Sequence, residues 1–244
     1  MPTDLQPSPS ASMTGFASGY RALVIGASGA IGAAFVAHLR ADSRCAAVIG
    51  LHRQSEPALD LRDEASVAVA LAQVGKSHGP FSLVIHAAGV LHGTLGQPEK
   101  RLADLNLTQL ADTFLVNTLG PALVLRHGVP LLAKERAVMV FLSAKVGSIG
   151  DNRLGGWYSY RASKAALNML VKTAAIEVAR TQPQAVIVAM HPGTVTSALS
   201  APFGGQSKGR SADLAAREML AVVDALQPQK TGQFVAYDGS VLPW

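Results

Sequence analysis

Short apolar runs rich in Val, Ile and Leu alternate along this chain with longer stretches of helical period, and the first run leads straight into a glycine-rich turn. That order predicts a parallel sheet joined by crossover helices. Strands are expected at 22–25, 46–51, 58–60, 83–86, 138–142, 185–190 and 234–237, the third of them a short piece. Most are apolar throughout, which suits strands covered on both faces, whereas a half-exposed antiparallel sheet would alternate. Helices are expected at 31–41, 64–74, 107–132, 158–179 and 212–226. The third should break at Gly120-Pro121, because proline lacks the N–H that an interior helical bond requires. The fold class is therefore α/β, a doubly wound and mostly parallel seven-stranded sheet with helices on both faces.

At 244 residues the chain fits one such domain around a single large core. With 49% apolar and 15% charged residues, a folded globule is expected. Residues 1–20 differ: they are rich in Ser, Pro, Ala and Gly, and Asp4 is their one charged side chain. They read as a disordered leader before a single domain spanning 21–244. The leader lacks the basic start and continuous apolar stretch of a secretory signal, so a cytoplasmic location is expected. No later segment reaches membrane-spanning length without a charge or a helix breaker, and no membrane association is expected. Cys45 is the only cysteine, which excludes an internal disulfide and argues against a thiol-based metal site. The formal charge of +5 is scattered, with no dense basic run and no interleaved aromatics, so nucleic acid is not the expected partner. An anionic cofactor accounts for the basic balance equally well.

The first expected strand runs into Gly26-Ala27-Ser28-Gly29-Ala30-Ile31-Gly32 and then into a helix. A tight turn there lets backbone N–H groups and the positive helix end face a pyrophosphate, provided no bulky Cβ blocks the approach. Gly26 and Gly32 are the positions where a side chain is least tolerable. A glycine cluster alone also fits a plain tight turn, so the weight comes from what accompanies it. Tyr160 and Lys164 stand four apart at the start of an expected helix, on one face and one turn apart. A free tyrosine titrates near about 10, and a nearby ammonium favours its phenolate and brings it towards working pH. The pair can give a proton to a carbonyl oxygen, or take one from an alcohol, while a cofactor carries the hydride.

In order and spacing, the glycine turn, Asp60, Asn117, the Tyr160/Lys164 pair and Pro192-Gly193 resemble the short-chain dehydrogenase/reductase family, from about residue 21 to the end of the chain. The resemblance implies a Rossmann-type sheet and a nicotinamide dinucleotide held along Gly26, Ser28, Gly29, Ala30, Ile31 and Gly32. It places Asp60 and Leu61 near the adenine, and adds Ala87, Ala88 and Gly89 to the cofactor site. Backbone groups at Pro192, Gly193 and Val195 would hold the nicotinamide carboxamide, with Ser197 in the place of a threonine that often assists. By the same resemblance Lys164 also holds the nicotinamide ribose, and Asn117 supports a proton relay to Tyr160. The runs Gly147-Ser148-Ile149 and Gly155-Gly156-Trp157-Tyr158-Ser159-Tyr160-Arg161 look like the branch of C-factor-like and sniffer-like carbonyl reductases. Tyr237-Asp238-Gly239 and Pro243-Trp244 fit that branch as well.

Departures from the family pattern carry information. The middle glycine of the phosphate turn is Ala30, whose methyl group permits binding if the helix start shifts slightly. His86 stands where an asparagine normally ties neighbouring strands; a structural role is expected, with a ring nitrogen substituting as donor. The serine that normally shares the substrate oxygen with the tyrosine is Ala144. Its neighbour Ser143, or Ser148 twelve residues before Tyr160, or no serine at all, fills that role. At the end of the second strand, where an acidic residue would select NAD, the chain has Leu51-His52-Arg53. Arg53 can pair with a 2′-phosphate, which favours NADP, with NAD the alternative if Arg53 is only a solvated surface residue.

The expected function is hydride transfer between NADP(H) and a small carbonyl or alcohol, with Tyr160 as general acid and base. Trp157, Tyr158 and Phe203 are candidates for the pocket wall or for core packing. A dinucleotide-binding signalling or sensor protein with vestigial chemistry is the alternative, motivated by Ala144 and Ala30. By the family resemblance, a homodimer or homotetramer is expected.

Overall fold

The computed structural model describes residues 12–244. Six parallel strands, β1 (Tyr20–Ile25), β2 (Cys45–Leu51), β3 (Leu83–His86), β4 (Ala137–Leu142), β5 (Ala185–His191) and β6 (Phe234–Ala236), lie in the order β2-β1-β3-β4-β5-β6. Between them run α1 (Ala30–Ala41), α2 (Glu64–His78), α3 (Leu107–Phe114), α4 (Gly120–Gly128), α5 (Tyr158–Val178), the short α6 (Gly205–Lys208) and α7 (Ala212–Ala225). Strand order reverses direction at β1, whose neighbours are β2 and β3. A crevice at the carboxyl ends of the strands follows from that reversal.

The apolar runs fold as strands because both of their faces are covered. Leu23, Ile25, Val84, Met139, Phe141 and Ile187 pack towards α2, α4 and α5, while their neighbours Ala22, Val24, Leu83, Ile85, Val138 and Val186 pack towards α1 and α7. Each large side chain buried this way contributes about 1.5–3 kcal/mol of transfer free energy. Asp63, Asn106 and Ser211 accept N–H groups in the first turns of α2, α3 and α7, fixing where those helices start.

Three expectations are corrected. The piece at 58–60 is not a strand, so among the described residues the sheet has six strands and not seven. Two of its amides are engaged in a turn: Leu59 N–H bonds the His52 carbonyl at 2.9 Å and Asp60 N–H bonds Ser66 Oγ at 3.0 Å, so neither is available to a sheet neighbour. The long third helix is not simply broken at Gly120-Pro121. Residues Leu115–Leu119 form a π-helical turn between α3 and α4, and Pro121 lies in the first turn of α4, where a missing N–H is harmless.

The expected leader is the third case: residues 1–11 lie outside the described residues, and 12–20 are packed. Met13 and Phe16 are fully buried, Met13 N–H and Tyr20 OH both donate to Asp42, and Arg136 stacks over the Phe16 ring at 4.3 Å. Among the described residues no helix is long and apolar enough to cross a membrane.

Candidate functional site

The glycine turn closes over the end of β3. Gly26 has φ +85, and a Cβ there would lie 2.6 Å from the Ala88 amide nitrogen; a Cβ on Gly32 would lie 2.2 Å from the Gly26 carbonyl oxygen. Both positions therefore require glycine. Gly29 has more room, 3.5 Å to its nearest neighbour, and serves as the N-cap of α1 without a side-chain hydrogen bond. Ala30 opens α1 with an exposed methyl group, so its departure from glycine crowds nothing in the protein. This bare helix start suits a pyrophosphate.

Two hollows receive most of the expected residues, while Ala30, Gly32, Asn117 and Lys164 line neither. A cavity of about 290 Å³ is lined by Gly26, Ser28, Gly29, Arg53, Asp60, Leu61, Ala87, Ala88 and Gly89. Arg62 also lines it but is held by Asp112 through two bonds of 2.8 and 2.9 Å, whereas Arg53 has no acidic partner among the described residues. A larger cavity of about 470 Å³ is lined by Ile31, Tyr160, Pro192, Gly193, Val195 and Ser197, with Trp157 and Phe203 on its wall. Tyr158 lies outside it.

Tyr160 and Lys164 come together as their spacing predicts. Lys164 Nζ lies 5.9 Å from the centre of the Tyr160 ring and donates to the Leu142 carbonyl at 3.0 Å. The expected lowering of the Tyr160 phenol is corrected: burial pushes it up to about 12 and the Lys164 ammonium down to about 8. Asn117 is fully buried in the π-helical turn; its side chain exchanges two 2.8 Å bonds with the Val90 backbone and donates to Ser163 Oγ at 3.1 Å. A Cβ on Gly89 would lie 3.2 Å from Asn117 Oδ1 and 3.4 Å from Lys164 Nζ, which shows how closely these groups converge.

The candidate serines do not converge in the same way. Ser143 Oγ donates to buried Asn168 Oδ1 at 2.7 Å, and Ser148 Oγ donates to the Trp244 carbonyl at 3.2 Å. Ser143, directly after β4, and Ala144 both line the larger cavity, Ala144 without a hydroxyl and Ser143 with its hydroxyl engaged by Asn168. His86 is buried and stacks on Phe141, but neither ring nitrogen has a partner among the described residues. The expected donor role is thus corrected: burial, with the charge of Lys164, holds the ring neutral with a pKa of about 3, and it acts by packing.

Two supporting residues gave no sequence signal. Glu99, only 2% exposed, accepts the Ser159 N–H at 3.1 Å and the Ser159 hydroxyl, and its carbonyl accepts the Trp157 N–H at 2.5 Å. It supplies the cap that Trp157, in left-handed conformation at φ 52, does not. Arg210 stacks over Tyr237 at 3.6 Å, pairs with Glu218 and donates to the Pro192 carbonyl at 2.6 Å, bracing the 192–196 loop. Both work through contacts distant in sequence, which no local motif marks.

The short chain dehydrogenase family model matches residues 20–207. The 1-hydroxy-2-glutathionyl-2-methyl-3-butene dehydrogenase of Rhodococcus sp. (strain AD45) is 31% identical over 189 residues, covering 78% of this chain and 80% of that one. The C-signal protein of Myxococcus xanthus is 35% identical over 170 residues, covering 68% and 94%. Among solved structures, the NADPH-bound carbonyl reductase from chicken fatty liver superposes with a TM-score of 0.80 at 25% identity, over 94% of this chain and 96% of that one. The carbonyl reductase Sniffer of D. melanogaster superposes equally well, at 0.80, with 22% identity over 93% and 99%, a likeness of fold. With the glycine cradle, the paired Tyr160 and Lys164 and this family match in agreement, the chain belongs to the short-chain dehydrogenase/reductase family of oxidoreductases.

Proposed function

We propose that this chain reduces a small aldehyde or ketone with NADPH, or runs the reverse oxidation, with Tyr160 as the general acid and base. The observation that carries the reading is Tyr160 on the wall of the larger cavity with the Lys164 ammonium behind its ring. When bound, the cofactor supplies or accepts the hydride. Gly26, Ser28 and Gly29 with the start of α1 would hold its pyrophosphate, and Pro192, Gly193 and Val195 would border its nicotinamide end. Arg53, free of an acidic partner among the described residues, suits a 2′-phosphate, and the chicken liver relative is NADPH-bound.

In this mechanism the Tyr160 hydroxyl donates its proton to the carbonyl oxygen as hydride arrives at carbon. The Lys164 charge stabilises the phenolate left behind. Asn117 ties the Val90 backbone and the Ser163 hydroxyl together beside that pair, and the apolar wall formed by Trp157 and Phe203 limits water. The test is NADPH and NADH oxidation over a panel of aldehydes, ketones and quinones, with Tyr160→Phe in parallel. Tyrosine-dependent turnover that favours NADPH supports the reading; turnover unchanged by the substitution overturns it.

A second reading, a dinucleotide-binding sensor, is favoured by one observation: the cavity presents Ala144 where a hydroxyl would assist, and Ser143 is bonded to Asn168. NADPH binding without turnover on any carbonyl would select it. A homodimer or homotetramer is also proposed, supported by exposed Leu119, Met169 and Ile176 on the π-helical turn and α5, and sedimentation would decide it.

A further inference from the structure

We infer that the larger cavity is built for a carbonyl compound carrying a carboxylate at the end remote from the reacting carbon. This substrate class rests on the reductase reading above. Charged side chains on the cavity wall are Lys145, Arg153 and Arg161 against a single acid, Asp151. His191 adds no positive charge at neutral pH, since burial and the nearby Lys145 and Arg210 hold it down to about 4.

Each of the three cations has capacity left for a ligand. Arg161, the residue after Tyr160, donates from Nε to the Gly155 and Gly156 carbonyls at 3.1 and 3.0 Å and from Nη1 to the Val146 carbonyl at 3.1 Å. Neutral acceptors fix the guanidinium in place but leave its charge uncompensated, with no acidic partner among the described residues. Lys145 meets Asp151 at 3.5 Å, with both side chains about half exposed, an arrangement of little net strength. Arg153 is exposed and bonds only the carbonyl of Asn152.

A role in holding cofactor phosphates does not account for them. The glycine turn and Arg53 line the other cavity, and none of the three cations reaches it. Arg161 is not merely a solvated side chain: three carbonyls fix it on a wall shared with Leu91, Trp157 and Phe203, and the exposed Lys145 and Arg153 add charge at the rim. An apolar wall beside fixed positive charge focuses the field into the cavity and favours a ligand with an apolar body and an anionic end.

The experiment compares 4-formylbenzoate with its methyl ester, which share ring and aldehyde and differ in charge. Turnover with NADPH and calorimetric binding to the protein loaded with NADP⁺ are measured for both, in low and high KCl. The acid is expected to be preferred by about tenfold or more in kcat/KM, through KM, with the same preference in Kd. That preference should shrink in high salt and in the double variant Lys145→Ala/Arg153→Ala. Arg161→Lys, which keeps charge but loses the fork, serves where Arg161→Ala loosens the loop; it should weaken the acid more than the ester. Equal affinity for the two probes, or a preference untouched by salt and by every variant, overturns the inference. Failure of the reductase reading shows differently: neither probe is turned over with NADPH, while selective, salt-sensitive binding of the acid still supports an anion-selective cavity.

Discussion

The carboxylate of Glu99 accepts both the main-chain N–H and the hydroxyl of Ser159, the residue immediately before Tyr160. A loop residue thereby fixes the first turn of the helix that carries Tyr160 and Lys164. The amides there and the positive helix end are what stabilise a buried carboxylate with no basic partner among the described residues. Glu99→Ala should cost about 1.5–3 kcal/mol, read from the denaturant midpoint, and lower kcat with little change in the Kd for NADPH. Glu99→Gln, which keeps an acceptor, should recover most of both. An alanine variant with full kcat would show that the contact does not position Tyr160.

Tyr160→Phe removes the proton without altering the ring. Turnover of any carbonyl substrate should fall by about 10²–10⁴ while the Kd for NADPH changes little, measured by cofactor fluorescence.

The pH dependence follows from the shift on Lys164. Its ammonium is present below about pH 8 and lost above, because burial lowers its pKa. Tyr160, raised to about 12, keeps its proton throughout that range. The kcat for carbonyl reduction should therefore be flat towards neutral pH and fall as pH rises through about 8, as the charge that stabilises the phenolate disappears. Lys164→Met should abolish that limb of the profile.

Ala144 lines the cavity without a hydroxyl, and Ser143 faces Asn168. Ala144→Ser should raise kcat by about tenfold or more, since a single donor to a developing oxyanion is commonly worth on the order of a hundredfold. Ser143→Ala should instead cost stability, by leaving Asn168 with an unmade bond, and leave kcat near that of the parent.

Arg53 is the one cation of the smaller cavity without an acidic partner among the described residues. Arg53→Ala should weaken NADPH by about tenfold or more relative to NADH, since a charge-assisted pair is lost only for the phosphorylated cofactor. Equal loss for both cofactors would place the 2′-phosphate elsewhere.

What was legible in the sequence was local. The run from 22 to 32 declares strand, turn and helix because chain neighbours make the contacts, as when a Cβ on Gly32 would strike the Gly26 carbonyl. Tyr160 and Lys164 were legible because helical spacing alone puts them on one face. The packed segment at 12–20 was not: Met13 and Phe16 are isolated apolar residues among small ones, and their partners Asp42 and Arg136 lie far along the chain. Glu99 likewise meets Ser159 across sixty residues. Residues 58–60 misled because Leu59 is buried as a strand residue would be, while their amides bond into a turn.

The turn at Leu115–Leu119 is closed by the Gly120 N–H reaching back to the Leu115 carbonyl, so it holds one residue more than the α-helical ladder on either side. Chain length at this point is itself a functional variable. Deleting Leu115 or Leu119 would remove the extra residue and restore a regular ladder, with the two flanks facing nearly as before but the residues of the turn itself redistributed. Asn117 would then no longer meet Val90 and Ser163 together, although every side chain that lines the two cavities kept its identity.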